Sequence, residues 1–135
     1  MKTLAISIFS FVLFSIFFFP ASAQSNDIFL EINKVDDKIV SKAENGERTL
    51  IFNIGGFTTK QQVDEFAEKF KTMRGVISVN VADDAIDGKW NATAVFYKYA
   101  NKKYFQNLFS WLSINYIIVD NIKYLVEEIA SAKFE

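Results

Sequence analysis

Between Thr49 and Val119 the spacing of apolar residues switches from two to three-and-four and back, in an order that leaves few folds open. Leu50, Phe52 and Ile54 alternate and stop at Gly55-Gly56, the pattern of a half-buried strand running into a permissive turn. Val63, Phe66, Ala67, Phe70 and Met73 then recur at helical spacing, so a helix is expected over Thr59 to about Arg74. It would open on the capping-box residues Thr59 and Gln62 and end at Gly75. Val76, Ile77, Val79 and Val81 predict a second strand and Ala92 to Tyr99 a third, paired across the turn-rich stretch from Asp83 to Lys89. Asn101 is placed to cap a second helix striped by Phe105, Leu108, Phe109 and Leu112, and Tyr116 to Val119 reads as a fourth strand.

That order implies an α+β fold, a ferredoxin-like βαββαβ sandwich over residues 48–121, with a four-stranded antiparallel sheet and two helices on one face. Residues 24–47 are mostly polar and read as a short N-terminal extension or linker, with room for an extra strand at Ile28, Leu30 and Ile32 and a turn at Asn45-Gly46. Ile122, Leu125, Val126 and Ile129 recur at helical spacing, so residues 122–135 are expected to form an extra C-terminal amphipathic helix.

Ahead of all this, Lys2 precedes an apolar run from Leu4 to Phe19 that breaks at Pro20 and gives way to Ala21-Ser22-Ala23. A short basic start, an apolar middle and small residues at the cleavage position make residues 1–23 a signal peptide, cut between Ala23 and Gln24. The run is shorter than the roughly 20 residues that span a bilayer. Export to the periplasm or the medium follows as the expectation, with no stable membrane anchor after cleavage. The chain has no cysteine, so neither disulfides nor a lipidated cysteine is available. It has no histidine either, which removes the usual base, the usual zinc ligand and the middle member of a hydrolase triad. A net charge of −1, without long runs of either sign, disfavours nucleic acid as a partner.

Gly56-Phe57 after the first strand, Gly75-Val76 between helix and second strand, Ala92-Thr93, and the interval from Tyr97 to Tyr116 carry a family resemblance. Over roughly Thr49 to Asp120 the chain resembles the heavy-metal-associated domains of copper chaperones and metal-transporting ATPases. In that family a Gly-Met pair stands where Gly56-Phe57 does, and two cysteines separated by two residues open the first helix. Here Thr59 and Gln62 occupy those positions, the hairpin is longer, and Asn115 replaces the glycine before Tyr116. The resemblance implies a degenerate copy without the soft-metal site, since a hydroxyl and an amide are hard, neutral donors and copper(I) needs thiolates. The family's ion-binding helix start would here be closed by side chains on the helix's own amides.

Other candidate sites are weaker. Asp83, Asp84 and Asp87 gather carboxylates beside Gly88, but Ala85 and Ala94 stand where an EF-hand loop needs ligands, so a solvated turn is the better account. Trp90, Tyr99, Tyr104 and Trp111 are aromatics that a small core need not fully bury, and they are the candidate surface for a protein partner or a homodimer; the competing account is that the terminal segments cover them. Phe96, Tyr97 and Tyr99 lack the glycine-aromatic context of RNA-binding sheets. Asn91-Ala92-Thr93 fits a glycosylation acceptor, which matters only in a eukaryotic secretory pathway. The loop from Gly55 to Thr58 has no adjacent arginine of the kind that holds phosphate in acylphosphatases. The expected function is an exported, non-catalytic binding or interaction module without a cofactor. The alternative is a metal-handling protein that binds a cation through Asp83, Asp84 and Asp87 or with a partner.

Overall fold

Leu50, Phe52 and Ile54 share one face of strand β3 (Arg48–Gly55), and all three are buried. Ala92, Ala94 and Phe96 do the same on β5 (Trp90–Phe96), which pairs antiparallel with β3 in the register Phe52↔Ala92. In the computed structural model, which describes residues 27–134, these two strands sit inside a mixed α+β fold of seven strands and three helices. The signal peptide expected over residues 1–23, with its cleavage between Ala23 and Gln24, lies outside the described residues. Among those described, no helix is long and apolar enough to cross a membrane.

Helix α1 (Lys60–Lys71) lays Val63, Phe66, Ala67 and Phe70 on the sheet, and α2 (Lys102–Trp111) lays Phe105, Leu108 and Phe109. Between them β4 (Val76–Val81) takes the edge beside β5. Phenylalanines join the layers: Phe70 lies 6.1 Å from Phe52 and 6.0 Å from Phe96, and Phe96 meets Phe105 edge-on at 5.0 Å. Each ring taken fully out of water stabilises the fold by about 1.5–3 kcal/mol. After α2 come β6 (Tyr116–Val119) and β7 (Ile122–Leu125).

The sheet departs from four antiparallel strands. Its order is β4-β5-β3-β1-β6-β7, where β1 (Phe29–Asn33) lies between β3 and β6, antiparallel to the first and parallel to the second. The stretch expected to be an N-terminal extension thus supplies an interior strand. Leu30 is 0 % exposed, and Glu31 is paired on one side with Asn53 and on the other with Ile118. A strand flanked on both sides satisfies its backbone donors and acceptors in the ladder, which lets its apolar residues be buried so deeply. A short β2 (Val40–Lys42) continues along β3 where β1 stops, and the chain leaves the sheet between them through a tight turn closed by Val35 and Lys38.

The C-terminal stretch is not the expected amphipathic helix. Asp120 and Asn121 form a two-residue turn with φ of 53° and 63°, folding β7 back onto β6, and only Val126–Ser131 winds, as a 3-10 helix. Apolar positions spaced three and four apart over so short a segment suit a strand followed by one tight turn as well as they suit a helix.

Candidate functional site

At the start of α1 the capping box forms as the sequence predicts. Thr59 Oγ1 accepts from the Gln62 amide at 3.2 Å, and Gln62 Oε1 accepts from the Thr58 and Thr59 amides at 2.9 and 3.3 Å and from the Thr58 hydroxyl at 3.0 Å. Both residues therefore spend their polar groups on the helix's own amides. The loop ahead of them is held by Gly56, which has φ +103°, and a Cβ there would lie 2.2 Å from the Asp27 carbonyl oxygen.

The aspartates of the long hairpin do not converge. Asp87 and Gly88 are the central residues of a turn with φ of 52° and 75°, closed by Ile86 and Lys89, and among the described residues no group of three acidic, histidine or cysteine side chains is placed to hold a metal. The aromatic surface also separates. Trp90 is 5 % exposed, because its register opposite Ile54 turns the indole into the core, so it is withdrawn from the candidate surface. Tyr104 is half-buried, with its ring against Tyr97, Phe96 and Phe105 and its hydroxyl donating to the Arg74 carbonyl at 2.6 Å. Tyr99 and Trp111 are exposed, at 66 % and 68 %, but they stand at opposite ends of α2.

What the fold does build is a pocket of about 480 Å³ between the sheet and α2. Its walls are Ile32, Leu50 and Ile117 from three neighbouring strands, Phe105 and Phe109 from α2, and Ile129 from the 3-10 helix. It opens where the strand beside β3 is interrupted, so Lys38, Ile39, Val40 and Lys42 stand on its rim. The N-terminus of α2 reaches it through Asn101 and Lys102, and Phe134 leans over it from the C-terminal segment. Lys102 ties that segment down, donating to the Ala132 carbonyl at 2.6 Å and lying 5.1 Å from the Phe134 ring, which also packs on Tyr124 at 4.8 Å.

The charge around this pocket has one sign. Lys38, Lys42, Arg48 and Lys102 line it, and no carboxylate or hydroxyl does. None of these four forms a salt bridge among the described residues, whose ion pairs engage Lys34, Lys60, Lys71 and Lys89 instead. Arg48 bonds the Ala100 carbonyl through Nη1, while its Nε is buried without a partner and too enclosed to meet a molecule in the pocket. Helix α2 adds to the same field, since its first turn carries Lys102 and Lys103 and no acidic residue where the helix dipole is already positive.

The chain has no histidine or cysteine, and the lining carries three lysine amines and a guanidinium but no hydroxyl or carboxylate. It sets apolar walls beside positive charge. The residues that form it come from strands, helix and tail far apart in sequence, each unremarkable locally. Only the lysines and arginine recurring at Lys34, Lys38, Lys42 and Arg48 offered a signal, diluted by Asp36, Asp37, Glu44 and Glu47 among them. No protein-family model, curated protein or solved structure matches the chain.

Proposed function

We propose that this is an exported, non-catalytic binding module, built on a ferredoxin-like unit of the heavy-metal-associated kind that has lost its soft-metal site and holds a small molecule with an apolar part inside the fold. The pocket between sheet and α2 carries the reading: its size falls in the range of small-molecule sites and its lining has the apolar predominance of one. Support for the ferredoxin-like assignment comes from the sheet order. Without β1 and the terminal β7 it runs β4-β5-β3-β6, the order expected of a βαββαβ unit, so β1 is read as a strand inserted into that scaffold. The emptied metal site is supported by the Thr59–Gln62 capping box, which takes up the helix-start amides with side chains that are poor donors to copper(I).

Native mass spectrometry of the protein, purified after expression of the full chain, tests the reading. A co-purifying small molecule near one equivalent, lost when Ile129→Trp fills the pocket, is the expected result. A melting temperature that rises with copper(I), zinc or calcium, with no co-purifying molecule, would reverse it. A second reading, a protein partner or a second copy docking on the surface, is favoured by the exposed Trp111. Light scattering on wild type and Trp111→Ala separates it: a larger species that Trp111→Ala dissolves would support it.

A further inference from the structure

We infer that the pocket selects an amphipathic anion, a single carboxylate or comparably charged head on one hydrocarbon tail, with the tail inside and the head at the rim. This rests on the binding-module reading and adds the ligand's chemical class. The apolar walls formed by Leu50, Phe105, Ile117 and Ile129 would take the tail. Two features at the mouth point to a negative head. Lys38, Lys42, Arg48 and Lys102 gather there with no carboxylate on the lining. The N-terminus of α2, where Asn101 Oδ1 takes only the Tyr104 amide, carries lysines in place of the acidic residues that usually balance its dipole. An uncharged ligand would leave this positive field uncompensated, and a cation would meet four like charges.

The pocket's volume fits one chain, which favours a free amphiphile over a two-tailed lipid held in a bilayer. The Phe134 ring and the Lys102 ammonium both line the pocket and lie 5.1 Å apart, so an apolar wall for the tail and one of the head's partners are tied to each other.

Calorimetric titration of the purified protein with dodecanoate, dodecanol and dodecyltrimethylammonium, below their micellar concentrations, separates head from tail. Dodecanoate is expected to bind at least tenfold more tightly than dodecanol, and the cation not at all, since charge-assisted hydrogen bonds are roughly twice the strength of neutral ones. The double change Lys38→Gln and Lys42→Gln, made on exposed side chains, should cut the preference for dodecanoate several-fold while leaving the melting temperature in place. Ile129→Trp should abolish binding of the tail. Equal affinity for the three heads would overturn the inference and leave the binding module standing. No binding of any tail, or binding of dodecanoate that Ile129→Trp does not weaken, would overturn it together with the pocket's role. Sedimentation with phosphatidylglycerol vesicles in the absence of dodecanoate binding would mean that a membrane surface, not a free amphiphile, is the anionic partner, and would overturn it too.

Discussion

Gly75 and Tyr104 form a joint that carries two predictions. Gly75 has φ +85°, and a Cβ there would lie 2.8 Å from both the Tyr104 hydroxyl and the Tyr97 ring. Gly75→Ala should therefore cost about 1–3 kcal/mol in urea denaturation, more than the removal of a helix cap alone. Burial pushes the Tyr104 phenol up to about 12, with Tyr97 beside it adding to the shift. A phenol whose pKa is higher in the folded state than in the unfolded one leaves stability unaffected below pH 10, and that stability is lost as pH rises from 10 towards 12. Melting temperature followed from pH 8 to 12 should fall in that window, and Tyr104→Phe should flatten the fall at the expense of about 1 kcal/mol from the lost bond to Arg74. At the acid end, hydrogen bonds from Lys89 and Asn53 hold the Glu31 carboxyl below its ordinary value. Its contribution is present above the usual carboxylate pKa and is lost as pH falls through the lowered one, so Glu31→Gln should reduce the acid sensitivity of the melt. The sequence marks Gly75 as the helix end, but the helix stops at Lys71 with Thr72 as its cap, and Gly75 takes its positive φ in the turn that leads into β4. Its contact with Tyr104 was not legible, because the hydroxyl reaches a carbonyl thirty residues earlier in the chain.

At the scale of elements, three tight turns set the geometry: Asp36-Asp37, Asp87-Gly88 and Asp120-Asn121 all place both central residues at positive φ. Asp and Asn tolerate that conformation better than other side chains, and at Asp120-Asn121 the backbone twist matches that of β6 and β7, the paired strands it joins. Asn121→Val should cost roughly 1–2 kcal/mol, while Asn121→Gly should be close to neutral. If both behave alike, backbone conformation does not hold the β6–β7 hairpin. The elements between Thr49 and Val119 were legible because their apolar periods are long enough to tell two from three-and-four, and because Thr59, Gln62 and Asn101 mark helix starts. The hairpin at Asp120-Asn121 was missed because nothing in its short flanks distinguishes a folded-back strand from a helix. For β1 the alternation of Leu30 and Ile32 disclosed a strand but not its neighbours, which depend on partners twenty and more residues away. Leu30→Ala should cost about 2–5 kcal/mol, as for a core residue, whereas a side chain on a linker would cost almost nothing.

For the whole molecule, the place of β1 decides where the pocket lies. It separates β3 from β6 by one further strand spacing, about 4.8 Å, and ends before β3 does. The chain's detour between β1 and β2 then puts Lys38 and Lys42 beside the opening on to Leu50 and Ile117. Neither the opening nor its charge could be read from spacing, since the lining is assembled from both ends of the chain around α2. The uncovered sheet face, by contrast, is largely self-satisfied: Lys89, Glu31, Asn53 and Asn91 bond across it in a row, and Phe29 stacks on Tyr116 at 5.1 Å. The most direct test of the pocket as the working site is methyl NMR of the isoleucine-labelled protein titrated with dodecanoate. The account predicts shifts, and contacts to the ligand tail, at Ile32, Ile117 and Ile129, with Ile77 and Ile86 unmoved. Silence at those three methyls with perturbation confined to the outer surface would contradict it.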